Sequence, residues 1–241
     1  MKTMKTFLFA LLLTACTLPA TLFAQEEETP SPFSLGADIY SNYIWRGSKF
    51  GTGPAFQPTV KFATGGLTVG AWGSFDAAGY TEADLYASYA FGFGLSLGVT
   101  DYYYPTWLGV PLDYFNYSDT LGSHAFEINA GYTIKGLTLS GNYIVNKAPG
   151  AGSVGGDIYV EAKYSFTNFA VFAGAGNGWY TVEEFEADGV TRKSDEFGLV
   201  NLGLSTSKTI KVTDSFSLPV NGSVILNPYS KMFTMVLGVS F

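Results

Sequence analysis

The clearest strand signal lies in the segment Tyr229-Ser-Lys-Met-Phe-Thr-Met-Val-Leu-Gly-Val-Ser-Phe241. From Phe233 to Phe241 every second residue is large and apolar, and all the residues between them except Val236 are small or polar. A repeat of two residues is the side-chain period of a β-strand, because successive side chains point to opposite faces of a sheet. The segment therefore predicts a strand with one apolar face that ends on the aromatic Phe241.

The same alternation recurs upstream. It is plainest in Leu67–Phe75, Phe93–Thr100, Leu137–Asn146 and Asp157–Phe166, where glycine, serine, threonine or charged residues occupy much of the second face. We predict about twelve strands, within a range of about ten to fourteen. They lie at 33–46, 54–63, 66–75, 81–91, 93–104, 124–134, 136–147, 156–166, 168–178, 194–207, 213–226 and 229–241.

Alternation alone does not distinguish a soluble sheet from a membrane barrel, which turns its apolar face toward lipid. The lengths of the links between the strands distinguish these two possibilities. Tight links at 64–65, 91–92, 135–136 and 167–168 alternate with longer ones at 47–53, 76–80, 105–123, 148–155 and 179–193. Short periplasmic turns and long external loops are typical of outer-membrane barrels. We therefore predict an all-β, antiparallel, up-and-down transmembrane β-barrel.

The amino terminus predicts export. Lys2 and Lys5 precede the apolar run Thr6–Leu13, and Ala24 precedes the polar run Gln25–Glu28. This order is that of a secretory signal peptide at 1–24, followed by a periplasmic lead-in at 25–32 and a barrel at 33–241. The run is too interrupted for a spanning anchor helix. Leu13-Thr14-Ala15-Cys16 also fits a lipobox, so lipidation of Cys16 stays open as an alternative.

Composition excludes several functional classes. Only 14% of the residues are charged, well below the roughly 25% of soluble domains, whereas 17% are aromatic and 29 are glycine. A net charge of −7 argues against a nucleic-acid partner. With one cysteine and one histidine, we expect no metal site and no cofactor.

Catalysis is also not expected. His124 is the only histidine, and Ser123 directly precedes it. Adjacent residues of a strand point to opposite faces, so this serine is a poor partner for a histidine base. We therefore predict that the chain is not an enzyme.

Charged residues on the second face of the strands are the candidates for lining a lumen. There they would form either a permeation path of mixed charge or pairs that brace the wall. Pro105–Ser123 either folds inward as a constriction or packs over the barrel mouth, and the acidic run 182–196 is either a solvated loop or a divalent-cation site. The pore-lining candidates are Asp38, Arg46, Lys61, Asp84, Glu127, Glu161 and Lys163.

Aromatic residues near strand ends are expected to face lipid and form girdles at the two membrane interfaces. Lys231 is expected on the same outward face, near the external rim. The aromatic set is Tyr43, Trp45, Phe75, Tyr89, Phe91, Tyr103, Tyr132, Tyr164, Phe166, Phe216 and Phe241.

Three segments resemble the start of the TorF-type porin family of bacteria. They are Ser41-Asn-Tyr-Ile-Trp-Arg-Gly47, Pro54-Ala-Phe-Gln-Pro58 and Gly65-Gly-Leu-Thr-Val-Gly-Ala-Trp-Gly-Ser74. The resemblance covers about the first quarter of the chain after the signal peptide, and elsewhere only the strand rhythm. It implies an outer-membrane barrel and a pore, and it brings no substrate or site residues with it.

Together these features predict a porin-like channel for passive diffusion of small polar solutes in the outer membrane. A non-conducting barrel with a structural or surface-binding role is the alternative, followed by an outer-membrane hydrolase. The expected partners are membrane lipid, lipopolysaccharide, small polar solutes, and the outer-membrane assembly machinery, which would recognise the last strand through Phe241.

Overall fold

Twelve antiparallel strands close into a barrel in a computed structural model of the chain, which describes residues 31–107, 109–153, 155–181 and 196–241. Each strand pairs with its neighbours in sequence, and the first pairs with the last through Asp38 opposite Ser240. The strands are β1 Phe33–Tyr40, β2 Ala55–Thr64, β3 Leu67–Asp76, β4 Thr81–Ala90, β5 Leu95–Tyr103, β6 His124–Ile134, β7 Leu137–Ile144, β8 Ile158–Ser165, β9 Ala170–Gly176, β10 Gly198–Lys211, β11 Ser217–Asn227 and β12 Met232–Ser240.

The predicted all-β barrel of about twelve strands is confirmed, and each predicted strand overlaps one observed strand. The predicted signal peptide and residues 25–30 of the lead-in lie outside the described residues, as do positions 182–195 of the acidic run. No helix among the described residues has the length and apolarity that crossing a membrane would need.

The ends of the barrel differ in their connections. At one end, here called the turn end, the links are short, and Gly65-Gly66 and Lys135-Gly136 have the two positive φ angles of a type I′ hairpin turn. The opposite end, here called the loop end, carries the longer links, including those after β1, β5, β7 and β9. The predicted alternation of short and long links therefore holds for the links after β1, β5, β7 and β9, whereas those after β3 and β11 have only four residues each.

Several strand limits were predicted wrongly: β10 and β11, for example, start at Gly198 and Ser217 instead of at 194 and 213. The first strand was expected to run to residue 46, but β1 ends at Tyr40, and a separate hairpin pairs Tyr43–Trp45 with Ser48–Phe50. Its turn residues, Arg46 and Gly47, have φ angles of 50° and 84°, which is the type I′ geometry that reverses a strand in two residues. The last strand starts at Met232, so Lys231 lies in the preceding turn with a φ of 57°.

Apolar side chains cover the outside of the barrel. Leu35 on β1, Val99 on β5 and Leu237 on β12 are 80%, 56% and 63% exposed, and their neighbours in sequence face inward. Several inward aromatic rings lie close to a glycine of the next strand. A Cβ atom on Gly238 would be 2.1 Å from the Tyr40 ring, so the absence of a side chain there makes room for that ring.

Two short helical turns and a second small hairpin complete the described loop end. The 3-10 turns are Pro149–Ala151 and Gly178–Tyr180, and Thr106–Trp107 pairs with Val110–Pro111 in the link between β5 and β6.

Candidate functional site

The hairpin of residues 43–50, here called the plug hairpin, lies inside the loop end of the barrel. Tyr43 is buried and its ring centre is 5.5 Å from that of Trp72, which faces inward from β3. Trp45 is 5.4 Å from Tyr102, an inward residue of β5. The predicted outward position of Tyr43 and Trp45 is therefore wrong. They alternate like the residues of a wall strand, but the chain leaves the wall after Tyr40.

Arg46, at the tip of the plug hairpin, forms a two-point ion pair with Glu127 of β6. Its Nη1 and Nη2 atoms lie 2.5 Å and 2.8 Å from the two carboxylate oxygens. The Glu127 side chain is fully buried and also accepts hydrogen bonds from the Tyr102 hydroxyl and the Asn129 amide. Both carboxylate oxygens of Glu127 thus accept hydrogen bonds, and most of the donor groups come from other parts of the barrel.

Aromatic rings enclose the Arg46 guanidinium. Its carbon atom lies 4.5 Å from the centre of the Trp45 ring and 4.8 Å from that of Tyr159 on β8. Tyr180, in the 3-10 turn, accepts a hydrogen bond from Arg46 and donates one to Glu127. Burial raises the pKa of Tyr180, so its hydroxyl keeps the proton that it donates. Electrostatic and ring contacts together hold the plug hairpin to both β6 and β8.

A second polar cluster lies on β4. Glu82 is almost fully buried and accepts hydrogen bonds from the hydroxyls of Tyr80 and Tyr104 at 2.7 Å and 3.0 Å. Asp84, two residues along the same inner face, is 6% exposed. Its Oδ1 atom is buried, and no group of the described residues forms a hydrogen bond with it.

A third cluster lies near the middle of the barrel. Glu161 of β8 accepts hydrogen bonds from the Tyr159 hydroxyl and from the amide of Asn201, which faces inward at a register shift between β9 and β10. Lys163 lies two residues further along the inner face of β8. Interior polar groups are thus mostly paired in the loop half of the barrel.

Six of the seven pore-lining candidates lie at inward positions of wall strands. The seventh, Arg46, reaches the interior from the plug hairpin instead of from a strand. Of the seven, the structure joins only Arg46 and Glu127 in an ion pair within the described residues. The six are Asp38 on β1, Lys61 on β2, Asp84 on β4, Glu127 on β6, and Glu161 and Lys163 on β8.

The sequence prediction missed Glu82, Tyr180 and Asn201. The period of two places Glu82 on the same face as Asp84, so alternation could have identified it. No local pattern pointed to Tyr180 or Asn201, because their partners lie 134 and 40 residues away in the chain.

The turn half of the interior is more open. One cavity of about 430 Å³ is lined by Lys163, hydroxyl side chains of β8, β10 and β11, and Asn221. Another of about 360 Å³ lies along the small and polar inner residues of β4 to β7. Free volume and polar groups thus occur together at the turn end, whereas aromatic side chains fill the loop end.

A family model described as a bacterial protein of unknown function, Gcw_chp, matches residues 24–206. The chain belongs to the Gcw_chp family. The match spans β1 to β9 and most of β10, and it does not test the finer TorF-type label. No curated protein matches the Gcw_chp chain.

Solved structures of engineered Rhodopseudomonas blastica porins are similar to the Gcw_chp chain at low identity. One triple-substituted form has 13% identity and a TM-score of 0.38, and the match covers 78% of this chain and 55% of that porin. Another has 14% identity and a TM-score of 0.38, with 83% and 61% covered. The Gcw_chp chain therefore spans little more than half the length of these porins.

The long link after β5 covers part of the outer wall of the Gcw_chp barrel. His124 faces outward from β6, yet it is buried because Tyr103 and Tyr117 stack on its ring at 4.9 Å and 4.6 Å. Its Nδ1 atom lies 2.9 Å from Asp101, and its Nε2 atom lies 2.6 Å from the Tyr114 carbonyl oxygen. These described residues of the link therefore pack against the outer wall and do not form the constriction.

Ser123 is not paired with His124 in this arrangement. Its hydroxyl donates to the carbonyl oxygen of Asp113 at 2.8 Å, while both ring nitrogens of His124 have other partners. The pair therefore lacks the hydrogen bond through which a histidine base activates a serine.

Proposed function

We propose that this Gcw_chp barrel is an outer-membrane, porin-like channel through which small polar solutes diffuse passively. The observation that carries the proposal is the division of its interior. The wall encloses polar cavities of about 430 Å³ and 360 Å³ in the turn half, while a segment that is not part of the wall fills the loop half. A plug made of a separate hairpin can move without opening the barrel wall.

The location and partners follow from the same proposal. The apolar outer wall suits contact with membrane lipid, and the predicted signal peptide and the terminal Phe241 suit export and recognition by the assembly machinery. Lipopolysaccharide would contact the loop end. The resemblance to the TorF-type family also implies a pore. The proposal includes no catalytic activity.

A non-conducting barrel with a structural or surface-binding role is the second candidate. The paired Arg46 and Glu127 favour it, because they hold the plug hairpin across the interior. Recording single-channel currents of the purified protein in planar bilayers separates the two. We expect discrete current steps, whose frequency rises when the plug hairpin is loosened. If neither the natural protein nor a variant lacking residues 43–50 conducts, the channel proposal is wrong.

Reversing a charge in the open half of the barrel should change ion selectivity. Lys61 faces inward from β2, three residues from the end of that strand. Replacing a positive by a negative unit charge about 10 Å from a passing ion in water changes its energy by roughly 0.8 kcal/mol, or about fourfold in relative occupancy. Lys61→Glu should therefore shift the reversal potential in a salt gradient toward cation preference by at least this ratio.

Lys211 provides the matched control. It lies at the last position of β10, is largely exposed, and pairs with Asp214 in the following turn. Lys211→Glu should leave the reversal potential close to that of the natural protein. Equal shifts in the two variants would mean that Lys61 does not line the conducting path.

A charge on the outer wall should destabilise the barrel if that wall contacts lipid. Val99 lies near the middle of β5, faces outward and is 56% exposed. Arginine at the bilayer midplane costs about 2–4 kcal/mol in such barrels. Val99→Arg should lower the free energy of unfolding in lipid vesicles by that amount, measured by urea titration.

Ser96, an inward residue three positions from Val99 on β5, serves as the comparison for this substitution. It lies on the same strand and lines one of the cavities, so an arginine there can keep its charge in water. Ser96→Arg should lower the free energy of unfolding by much less. A soluble barrel would instead tolerate Val99→Arg as well as Ser96→Arg.

A further inference from the structure

Asp84 is an exception to the pairing of the interior. Its side chain is about nine-tenths buried on the inner face of β4, and its Oδ1 atom has no partner within the described residues. Buried carboxylate oxygens are almost always hydrogen-bonded or close to a cation, because an unpaired one loses its hydration without compensation. This oxygen therefore points to a group that the protein chain does not supply.

The charges around Asp84 lead to the same conclusion. Glu127 has Arg46 as its partner, and Glu161 lies two positions from Lys163 on one inner face. Neither Glu82 nor Asp84 has a lysine or arginine partner in the described part of the chain, although the two lie side by side on β4. Two neighbouring buried carboxylates repel each other, so the β4 pair is neutralised either by a retained proton or by a bound cation.

The groups near the pair are oxygen donors and aromatic rings. The hydroxyls of Tyr80 and Tyr104 lie within 3.0 Å of Glu82, and the ring of Tyr43, in the plug hairpin, packs on that of Tyr80. An all-oxygen site with two carboxylates suits a hard divalent ion, and Ca²⁺ accepts irregular arrangements of six to eight oxygens more readily than Mg²⁺.

We propose that Glu82 and Asp84 form a binding site for a Ca²⁺-like divalent cation inside the loop end of the barrel. No third His, Cys, Asp or Glu joins them in a metal-ligand cluster among the described residues, so hydroxyls and water complete the coordination. We therefore expect weak binding, with a Kd on the order of 10⁻⁴–10⁻³ M, as in extracellular calcium modules.

Cation binding at this site would also stabilise the plug hairpin. The Tyr43 ring packs against the rings of Trp72 and Tyr80, and the Tyr80 hydroxyl donates a hydrogen bond to Glu82. An ion that neutralises Glu82 and Asp84 removes repulsion beneath this part of the hairpin. The site therefore complements the Arg46–Glu127 pair, which holds the hairpin tip to β6, two strands away from β4. It does not depend on whether the barrel conducts.

Two measurements on the full protein in detergent test the site. The first is the midpoint of heat unfolding, which should rise by about 3–6 °C with Ca²⁺ at about ten times its Kd relative to NaCl of equal ionic strength. The second is luminescence of Tb³⁺, used in place of Ca²⁺ and excited through nearby rings such as Tyr43 and Trp72. Ca²⁺ should compete with this signal.

Variants separate binding from folding. Asp84→Asn and Glu82→Gln should each abolish the Ca²⁺-dependent rise and reduce Tb³⁺ luminescence at least tenfold. Asp84→Asn should also raise the midpoint without Ca²⁺, because it removes one of two neighbouring buried carboxyl groups. Asp214→Asn, a like change at an exposed turn, should keep both responses. The proposal is overturned if NaCl alone gives the full rise, or if the natural protein and Asp84→Asn respond to Ca²⁺ equally.

Discussion

Replacing Arg46 by alanine is expected to destabilise the barrel and to increase its conductance. The substitution leaves the Glu127 carboxylate fully buried without its cation, and removing one partner of a buried ion pair typically costs about 3–5 kcal/mol. It also removes the group on which Trp45, Tyr159 and Tyr180 pack. We expect a loss of this size in the free energy of unfolding and a severalfold higher frequency of open steps in bilayer recordings.

Two further variants show whether the pair itself is responsible. Arg46→Lys keeps a positive charge but cannot form the two-point contact with the carboxylate, so an intermediate loss of stability is expected. In the double variant with Glu127→Gln, part of the lost stability should return, because neither position 46 nor position 127 then carries a charge, while the higher conductance should persist. Unchanged conductance in all three variants would mean that this pair does not keep the plug hairpin in place.

The barrel wall could be predicted from the sequence because its information is local. Alternation along segments such as Leu67–Phe75 fixes both the strand and the side that each residue faces, and turns such as Lys135-Gly136 separate the strands. A change of one residue in register would place Leu67, Val69 and their outward neighbours in the interior. Local sequence therefore contained most of what determines the wall.

The plug hairpin could not be predicted in this way. Tyr43 and Trp45 alternate with Asn42 and Ile44, which fits a wall strand as well as a short hairpin packed inside. What distinguishes the two is the partner of each residue, and Arg46 finds Glu127 81 positions later. The same limitation applies to His124, whose burial depends on Tyr117 and on a link that folds back over the wall.

Asp84 shows an intermediate case. Its inward direction followed from alternation, but its lack of a hydrogen-bond partner on Oδ1 is a property of the folded interior. The sequence offered two readings for such residues, a permeation path of mixed charge or pairs that brace the wall. The loop half contains paired groups that brace the structure, such as Arg46 and Glu127. Glu82 and Asp84 on β4 lack such an ionic partner among the described residues.

Gly47→Ala is expected to displace the plug hairpin. After replacement of Arg46, this is the substitution for which we expect the largest effect. Gly47 has a φ of 84°, and a Cβ atom there would lie 1.9 Å from the carbonyl oxygen of Val200 on β10. The Asn227 amide also donates to the Gly47 carbonyl oxygen at 3.1 Å. Alanine thus combines backbone strain with a clash against the rigid wall, so the hairpin tip has to withdraw and lose its contacts with β10 and β11.

Comparison with Gly65→Ala separates the effect of the steric clash from that of the backbone strain. Gly65 also has a positive φ, 54°, in a type I′ turn, but its added Cβ would meet no atom within 4 Å. It should cost only the left-handed strain of about 1–2 kcal/mol. Gly47→Ala should cost at least twice as much in urea unfolding and raise the frequency of open steps, which Gly65→Ala should leave unchanged. Because both variants add the same methyl group to a turn glycine, an equal loss would show that the hairpin tip is not seated against β10.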